Sequence, residues 1–275
     1  MAQLHFLEKE FISDNYLLFG PKVVAEKLRR NATTIIKFAK SQGLELDRSQ
    51  KLPENDCPDF KYDLIFYNRF INDITPELAY WLGFFWADGT INRETGLVIE
   101  ITKEDGEILK DIFYKIFPFS ISYRNREGRK PQMSFHITDK NVASLLKSLG
   151  KYPKSSENHE KIFNYLNSEE LQLFFLRGLI DGDGNFYLNE KDKYGQFTLA
   201  SNVNQDWSYL QEFLKDFNPH INISEKTSGN SSVLRITGKT NIINFINYLK
   251  YDSIEIGLKR KTNKALEIIN MYKNE

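Results

Sequence analysis

The chain has 275 residues, of which 41% are hydrophobic and 14% aromatic, and this composition excludes a disordered or collagen-like protein. Its 37 Lys and Arg residues balance 37 Asp and Glu residues, so a nucleic-acid-binding role would need local basic clusters rather than a basic excess. The single cysteine, Cys57, excludes an internal disulfide and a Cys-rich zinc site, and no apolar run is long enough to span a membrane, which predicts a soluble protein of a reducing intracellular compartment.

The first 47 residues carry a helical pattern that is interrupted by a turn. Thr33 or Thr34 is the expected N-cap of the second helix, because a hydroxyl there precedes an amphipathic run. Two short helices joined by a turn are typical of a helix-turn-helix, whose second helix enters the major groove of DNA. That interpretation places Lys37 near DNA, and a plain helical cap or interaction module is the alternative. Residues 48–73 are predicted to be a linker.

The remainder of the chain is an internal repeat. Asp88 and Asp183, which lie 95 residues apart, each precede a glycine at the end of an apolar helical run. The match continues downstream, where the sequence HITDK at residues 136–140 corresponds to RITGK at residues 235–239. Agreement at so many positions predicts two structurally similar halves.

Each half carries the same order of predicted elements. Thr75 and Ser168 are the expected N-caps of a first helix, which is followed by two strands, a helix, two strands and a last helix. We therefore predict an α+β fold of two pseudo-symmetric αββαββα halves, residues 74–166 and 167–275, with a small N-terminal helical domain, residues 1–47. Their antiparallel sheets are expected to form a DNA-binding saddle, with the Asp-bearing helices at the join.

Two nine-residue segments carry a family resemblance. Residues 81–89, WLGFFWADG, and residues 176–184, LRGLIDGDG, resemble two copies of the LAGLIDADG motif. The similarity to LAGLIDADG homing endonucleases extends over residues 75–275. It implies a site-specific double-strand DNA endonuclease in which each motif aspartate serves the cut of one strand.

The two copies differ from each other. The sixth motif position holds Trp86 in the first copy and Asp181 in the second, and Arg177 stands where a small residue is usual in the family. Neither difference affects Asp88 or Asp183, the expected metal ligands. We therefore expect two unequal halves and an asymmetric target.

Small residues on the two motif helices predict that these helices pack together. Gly83 and Gly178 each lie four residues before another small residue on the same helix face. Packing would bring Asp88 and Asp183 together, and adjacent carboxylates repel each other unless a cation lies between them. Mg²⁺ prefers carboxylate and phosphate oxygens and suits phosphodiester hydrolysis. In a single isolated copy, the Asp-Gly pair would be only a helix-ending turn.

The expected cofactor is therefore Mg²⁺, with Mn²⁺ able to substitute and Ca²⁺ able to bind without supporting cleavage. The expected ligands are the carboxylates of Asp88 and Asp183 and the backbones of Gly89 and Gly184.

The resemblance also implies a basic residue near each cut. Lys259 matches the family pattern in the second half, and Lys154 is its counterpart in the first half. A lysine there can stabilise the charge that develops on the phosphate or orient the attacking water. Ordinary exposed lysines are the alternative at both positions.

Alternate side chains of a sheet laid in the major groove reach bases and phosphates, so polar residues of the strands and nearby basic residues are candidate DNA contacts. These candidates, besides Lys37, are Arg124, Arg126, Arg129, Lys130, Asn185, Tyr187, Asn189, Gln196, Thr198 and Arg235. The expected partner is double-stranded DNA with a long target, bound by a monomer in the cytoplasm or nucleoid of a prokaryote or phage-infected cell, with an organelle left open. A DNA-binding regulator without activity, an intron RNA maturase and a protein-interaction repeat are the alternatives.

Overall fold

The structure is a computed structural model, and it describes residues 4, 6–46, 51–60, 67, 69–93, 95–117, 119–151, 158–224 and 231–273. The chain divides into two compact units, Met1–Ile65 and Phe66–Glu275. No helix in the described part of the chain combines the length and the apolar character that a membrane span requires.

The first unit contains two helices, α1 (Phe6–Lys27) and α2 (Ala32–Ser41), as the sequence pattern predicts. Gly20 interrupts α1 with φ 81° and ψ 169°, a conformation that glycine adopts without steric cost, and Pro21 follows it. Buried side chains from both helices form the core of this unit, with Ile12, Val24 and Ile35 fully buried.

Two details of the first unit differ from the prediction. The N-cap of α2 is Asn31, whose side chain accepts a hydrogen bond from the backbone N–H of Thr33 at 2.8 Å, so capping by Thr33 or Thr34 was wrong. Residues 51–60, predicted to lie in the linker, pack within this unit, where Cys57 is buried in the core.

The second unit holds both repeats. The first repeat comprises α3 (Pro76–Asp88), β1 (Gly89–Asn92), β2 (Gly96–Thr102), α4 (Lys103–Ile116), β3 (Ser120–Arg124), β4 (Gln132–Thr138) and α5 (Lys140–Ser148). A short helix, α6 (Glu160–Tyr165), precedes the second repeat. The second repeat comprises α7 (Glu169–Asp183), β5 (Gly184–Asn189), β6 (Tyr194–Asn202), α8 (Ser208–Phe213), a 3-10 turn (Lys215–Phe217), β7 (His220–Ser224), β8 (Ser231–Thr237), α9 (Lys239–Tyr248) and α10 (Lys259–Lys273).

The starts of the two motif helices follow from local sequence. The Thr75 hydroxyl accepts a hydrogen bond from Leu78 N–H, and the Ser168 hydroxyl accepts one from Leu171 N–H, so both predicted caps are confirmed. The helices α6 and α10 are additions to the predicted pattern.

Each repeat forms one four-stranded antiparallel sheet, with strand orders β1-β2-β4-β3 and β5-β6-β8-β7. The identical order confirms the predicted α+β fold of two similar halves. Strands bury alternate side chains: in β2, Leu97, Ile99 and Ile101 are buried, whereas Glu100 between them is exposed. Each sheet therefore has one face in the core and one open, largely polar face.

The helices α3 and α7 form the centre of the second unit. Residues 78–86 of α3 and 173–181 of α7 are all buried, which fits helices surrounded by protein on every side. A Cβ on Gly83 would overlap the carbonyl oxygen of Phe175, and one on Gly178 would lie 2.7 Å from Phe84 N. These contacts confirm that the two helices pack backbone against backbone.

Candidate active site

The two motif aspartates lie at the C-terminal ends of α3 and α7. Both Asp88 and Asp183 are open to solvent, although each follows a run of buried residues. A Cβ on Gly182, next to Asp183, would lie only 3.3 Å from Asp88 Oδ2. Close helix packing thus brings the two carboxylates to one place on the surface, as the small-residue pattern predicts.

The two carboxylates repel each other. Desolvation by the surrounding protein, followed by the charge of Asp88, raises the pKa of Asp183 to about 6. Desolvation also raises the pKa of Asp88, against the nearby ammonium groups of Lys151 and Lys261. A site that disfavours two negative charges in this way is suited to a divalent cation.

Two lysines that the sequence analysis did not single out flank these carboxylates. Lys151 is 1% exposed, and its Nζ donates a hydrogen bond to Trp86 O at 2.7 Å; Lys261 is 9% exposed, and its Nζ donates to Gly184 O. Desolvation lowers the pKa of Lys151 to about 8, while Asp183 and Asp88 oppose that shift. Desolvation also lowers the pKa of Lys261.

The lysine that the family pattern predicts in the second half is placed differently. Lys259 is the first residue of α10 and is exposed, whereas Lys261, two residues later, is turned into the protein. Lys154 lies outside the described residues. Lys261 belongs to the same run of basic residues, 259–261, but which lysine of that run lies near the carboxylates depends on how α10 packs.

The described donors fit a divalent cation in part. Asp88 and Asp183 supply two carboxylates, and the residues that the structure describes contain no cluster of three or more His, Cys, Asp or Glu residues able to hold a metal. The carbonyl oxygen of Gly184 accepts a hydrogen bond from the Lys261 ammonium, which disfavours a metal ion on the same oxygen. The backbone of Gly89 stays a predicted ligand.

A cavity of about 250 Å³ adjoins Asp183 and Lys151. Trp86 and His159 also line it, and Trp86 Nε1 and His159 Nδ1 are buried without a hydrogen-bond partner among the described residues. Burial lowers the pKa of His159 to about 4, so its ring is neutral near pH 7. The cavity therefore provides polar groups and room for water beside one carboxylate.

The second sheet brings most of the predicted DNA contacts together on its open face. In the strand register, Asn185 is opposite Thr198, Tyr187 is opposite Gln196, and Thr198 is opposite Arg235. Directly opposed residues of an antiparallel pair point to the same face. Asn189 follows the same alternation in β5. Their contact with DNA stays a prediction.

The first sheet places its basic candidates at one end. Arg124 ends β3 and lies 3.6 Å from the carboxylate of Glu100, a partly exposed pair. Arg126, Arg129 and Lys130 are exposed in the loop between β3 and β4. In the first unit, Lys37 is exposed on α2.

The chain is similar to two solved DNA-bound proteins. It resembles I-SmaMI bound to uncleaved DNA target in the presence of calcium ions, with 15% identity and a TM-score of 0.46 over 73% of this chain and 92% of that one. It also resembles the LAGLIDADG meganuclease I-AabMI bound to uncleaved DNA, with 15% identity and a TM-score of 0.49 over 73% of this chain and 92% of that one.

Two curated proteins of Methanocaldococcus jannaschii are also similar. The replication factor C small subunit is 26% identical over 242 residues, which cover 85% of this chain and 12% of that protein. The protein MJ0314 is 26% identical over 138 residues, which cover 47% of this chain and 49% of that protein. The chain therefore spans about an eighth of the first relative and about half of the second.

Family models match both repeats. A model described as WhiA LAGLIDADG-like domain matches residues 77–164, and a model described as LAGLIDADG-like domain matches residues 170–250. The two matches together cover more than half of the chain, and each contains one motif aspartate. With one such domain in each half, this chain belongs to the LAGLIDADG family.

Proposed function

We propose that this chain is a site-specific, metal-dependent endonuclease that cuts both strands of double-stranded DNA. The observation that carries the proposal is the position of Asp88 and Asp183, which lie side by side at adjacent helix ends, open to solvent, between the buried ammonium groups of Lys151 and Lys261. A merely structural pair of helix ends would not need two buried ammonium groups near it.

The chemistry divides between the two kinds of side chain. Asp88 and Asp183 would hold Mg²⁺, which when bound supplies a positive charge that activates water and stabilises the leaving oxygen. Lys151 and Lys261 place positive charge where negative charge develops on the phosphate, and their backbone hydrogen bonds hold both ammonium groups in position. One aspartate and its neighbouring lysine would serve each strand.

The partner that fits this arrangement is a long DNA duplex. The open faces of the two sheets carry different side chains. In the second sheet Thr198 is paired with Arg235, whereas in the first sheet Val98 is paired with His136. Different side chains read different bases, so the target is asymmetric. Because both aspartates belong to one chain, a monomer is sufficient.

The proposal is tested by cleavage of a randomised duplex library with Mg²⁺, with wild type, Asp88→Asn and Asp183→Asn compared. Wild type is expected to cut both strands at one long site, and each variant is expected to nick one strand or to cut neither. If wild type binds DNA tightly but does not cleave it in Mg²⁺ or in Mn²⁺, the proposed endonuclease activity is contradicted.

A DNA-binding regulator is the second candidate. The match of residues 77–164 to a WhiA-type model, rather than to the model matched by the second half, favours it, as does the helical hairpin of the first unit with Lys37 exposed. This candidate predicts sequence-specific binding that Asp88→Asn and Asp183→Asn leave unchanged.

A further inference from the structure

The second motif helix carries a buried charged pair that the first lacks. Arg177 and Asp181, each 1% exposed, lie one helical turn apart on α7. Their counterparts on α3 are Leu82 and Trp86, which are also buried. Burying two charged groups is costly unless hydrogen bonds compensate, so this pair requires an explanation in the second half alone.

The hydrogen bonds of Arg177 go to one connecting segment. Its Nη1 donates to Leu249 O and Lys250 O, both at 3.3 Å, and its Nη2 donates to Ile254 O at 3.2 Å and Ile256 O at 2.7 Å. These four carbonyls belong to the chain between α9 and α10. A single guanidinium thus holds both ends of that segment.

Asp181 holds the point at which α10 begins. Its Oδ2 accepts hydrogen bonds from Leu258 N–H at 2.7 Å and from the Tyr80 hydroxyl at 2.8 Å. Leu258 immediately precedes α10, and Tyr80 belongs to α3 of the first repeat. The carboxylate therefore fixes the start of α10 relative to both motif helices.

The buried lysine lies at a different distance along the chain from the preceding helix in each repeat. Lys151 follows α5 after two intervening residues, whereas Lys261 follows the end of α9 only after the segment 249–258 and the first residues of α10. A connection of that length leaves the position of Lys261 open unless other contacts fix it. The clamp formed by Arg177 and Asp181 makes such contacts before α10, and Arg260 adds one within α10 through its ion pair with Asp105 at 2.9 Å.

We propose that Arg177 and Asp181 are positioning residues, which place Lys261 beside the motif carboxylates by holding residues 249–258 and the start of α10. The inference rests on the proposed endonuclease activity. It also accounts for the presence of Arg177 in the second copy only, because Lys151 of the first copy follows its helix after two residues.

A double-mutant cycle on Arg177→Leu and Lys261→Met tests the proposal, with single-turnover cleavage measured separately for each strand. Lys261→Met is expected to slow one strand about 100-fold. Arg177→Leu, which places the residue of the first copy in the second, is expected to slow the same strand at least about tenfold and to leave the other strand and DNA affinity within about twofold. The double variant is expected to be no slower than Lys261→Met alone, because both changes remove one function.

A second pair of variants separates hydrogen bonding from general stability. Asp181→Asn keeps an acceptor for Leu258 N–H and for Tyr80, and is expected to retain cleavage of both strands, whereas Asp181→Leu is expected to behave as Arg177→Leu does. Glu169→Ala, on the exposed first turn of the same helix, is the matched control. Multiplicative losses that fall equally on both strands would overturn the proposal.

Amide hydrogen exchange keeps the two proposals distinguishable. If wild type cuts no DNA, the proposed endonuclease activity is rejected. The positioning role of Arg177 and Asp181 is then judged by hydrogen exchange alone. Faster exchange over residues 249–264 in Arg177→Leu, with α3 and α7 unchanged, supports positioning. Unchanged exchange over that segment overturns it. Arg177→Lys, which keeps the charge but not the planar fork of donors, replaces Arg177→Leu if the latter does not fold.

Discussion

At the scale of single residues, metal binding depends on the protonation of the two aspartates. Only the charged carboxylate binds a metal ion, and the pKa of Asp183 is raised from 3.8 to about 6. Affinity for Ca²⁺ is therefore expected to be full above pH 7 and to fall about tenfold for each pH unit below 6. Calorimetric titration at pH 5, 6 and 7.5 measures this, and equal affinity at all three would contradict it.

The lysines provide a second prediction at this scale. Lys151→Met and Lys261→Met are each expected to slow cleavage by about 100-fold, because each removes a buried positive charge beside the carboxylates. Lys259→Met, two residues from Lys261 on the same helix, is the matched control and is expected to slow cleavage less than about threefold. Single-turnover rates are the measurement. Loss of cleavage with Lys259→Met and not with Lys261→Met would instead support the assignment of Lys259 by the family pattern.

At the scale of elements, the contact between α3 and α7 decides whether the site exists. Alanine is a better helix former than glycine by about 1 kcal/mol, so Gly178→Ala would stabilise an isolated helix. Here the new Cβ would lie 2.7 Å from Phe84 N, and we expect a net loss of about 3 kcal/mol in the free energy of unfolding. Urea unfolding measures the difference.

The control for this prediction lies on the same helix. Glu170→Ala, in the exposed first turn of α7, is expected to change the free energy of unfolding by about 0.5 kcal/mol. A Gly178→Ala protein as stable as wild type would mean that the backbones of the two helices do not touch at this position.

At the scale of the whole molecule, DNA affinity must come from local faces, because 37 basic residues balance 37 acidic ones. Arg235 lies on the open face of the second sheet, so Arg235→Ala is expected to reduce the slope of log affinity against log salt by about 1. Lys215→Ala is the control. Lys215 lies in the 3-10 turn, which packs against α9, and its Nζ is 2.7 Å from the carboxylate of Glu212 in α8. Equal slopes for wild type and Arg235→Ala would indicate that this face of the second sheet does not contact DNA.

Local sequence was sufficient for much of this architecture. The caps Thr75 and Ser168, the alternation in the strands and the Asp-Gly ends of the motif helices are set by contacts between near neighbours. The predicted elements of each half therefore occur in the predicted order, although α6 and α10 were not predicted. The cap Asn31 was missed because three hydroxyl or amide residues compete within one turn.

By itself, therefore, the sequence determined the two repeats, the two motif aspartates and the packing of their glycine-bearing helices. Only the tertiary structure showed which lysines are buried near the carboxylates, namely Lys151 and Lys261. The physical reason is separation along the chain: Lys261 contacts Gly184 across 77 residues, and Asp181 contacts Leu258 across 77. Contacts of that span depend on how the elements pack, which neither spacing nor periodicity encodes.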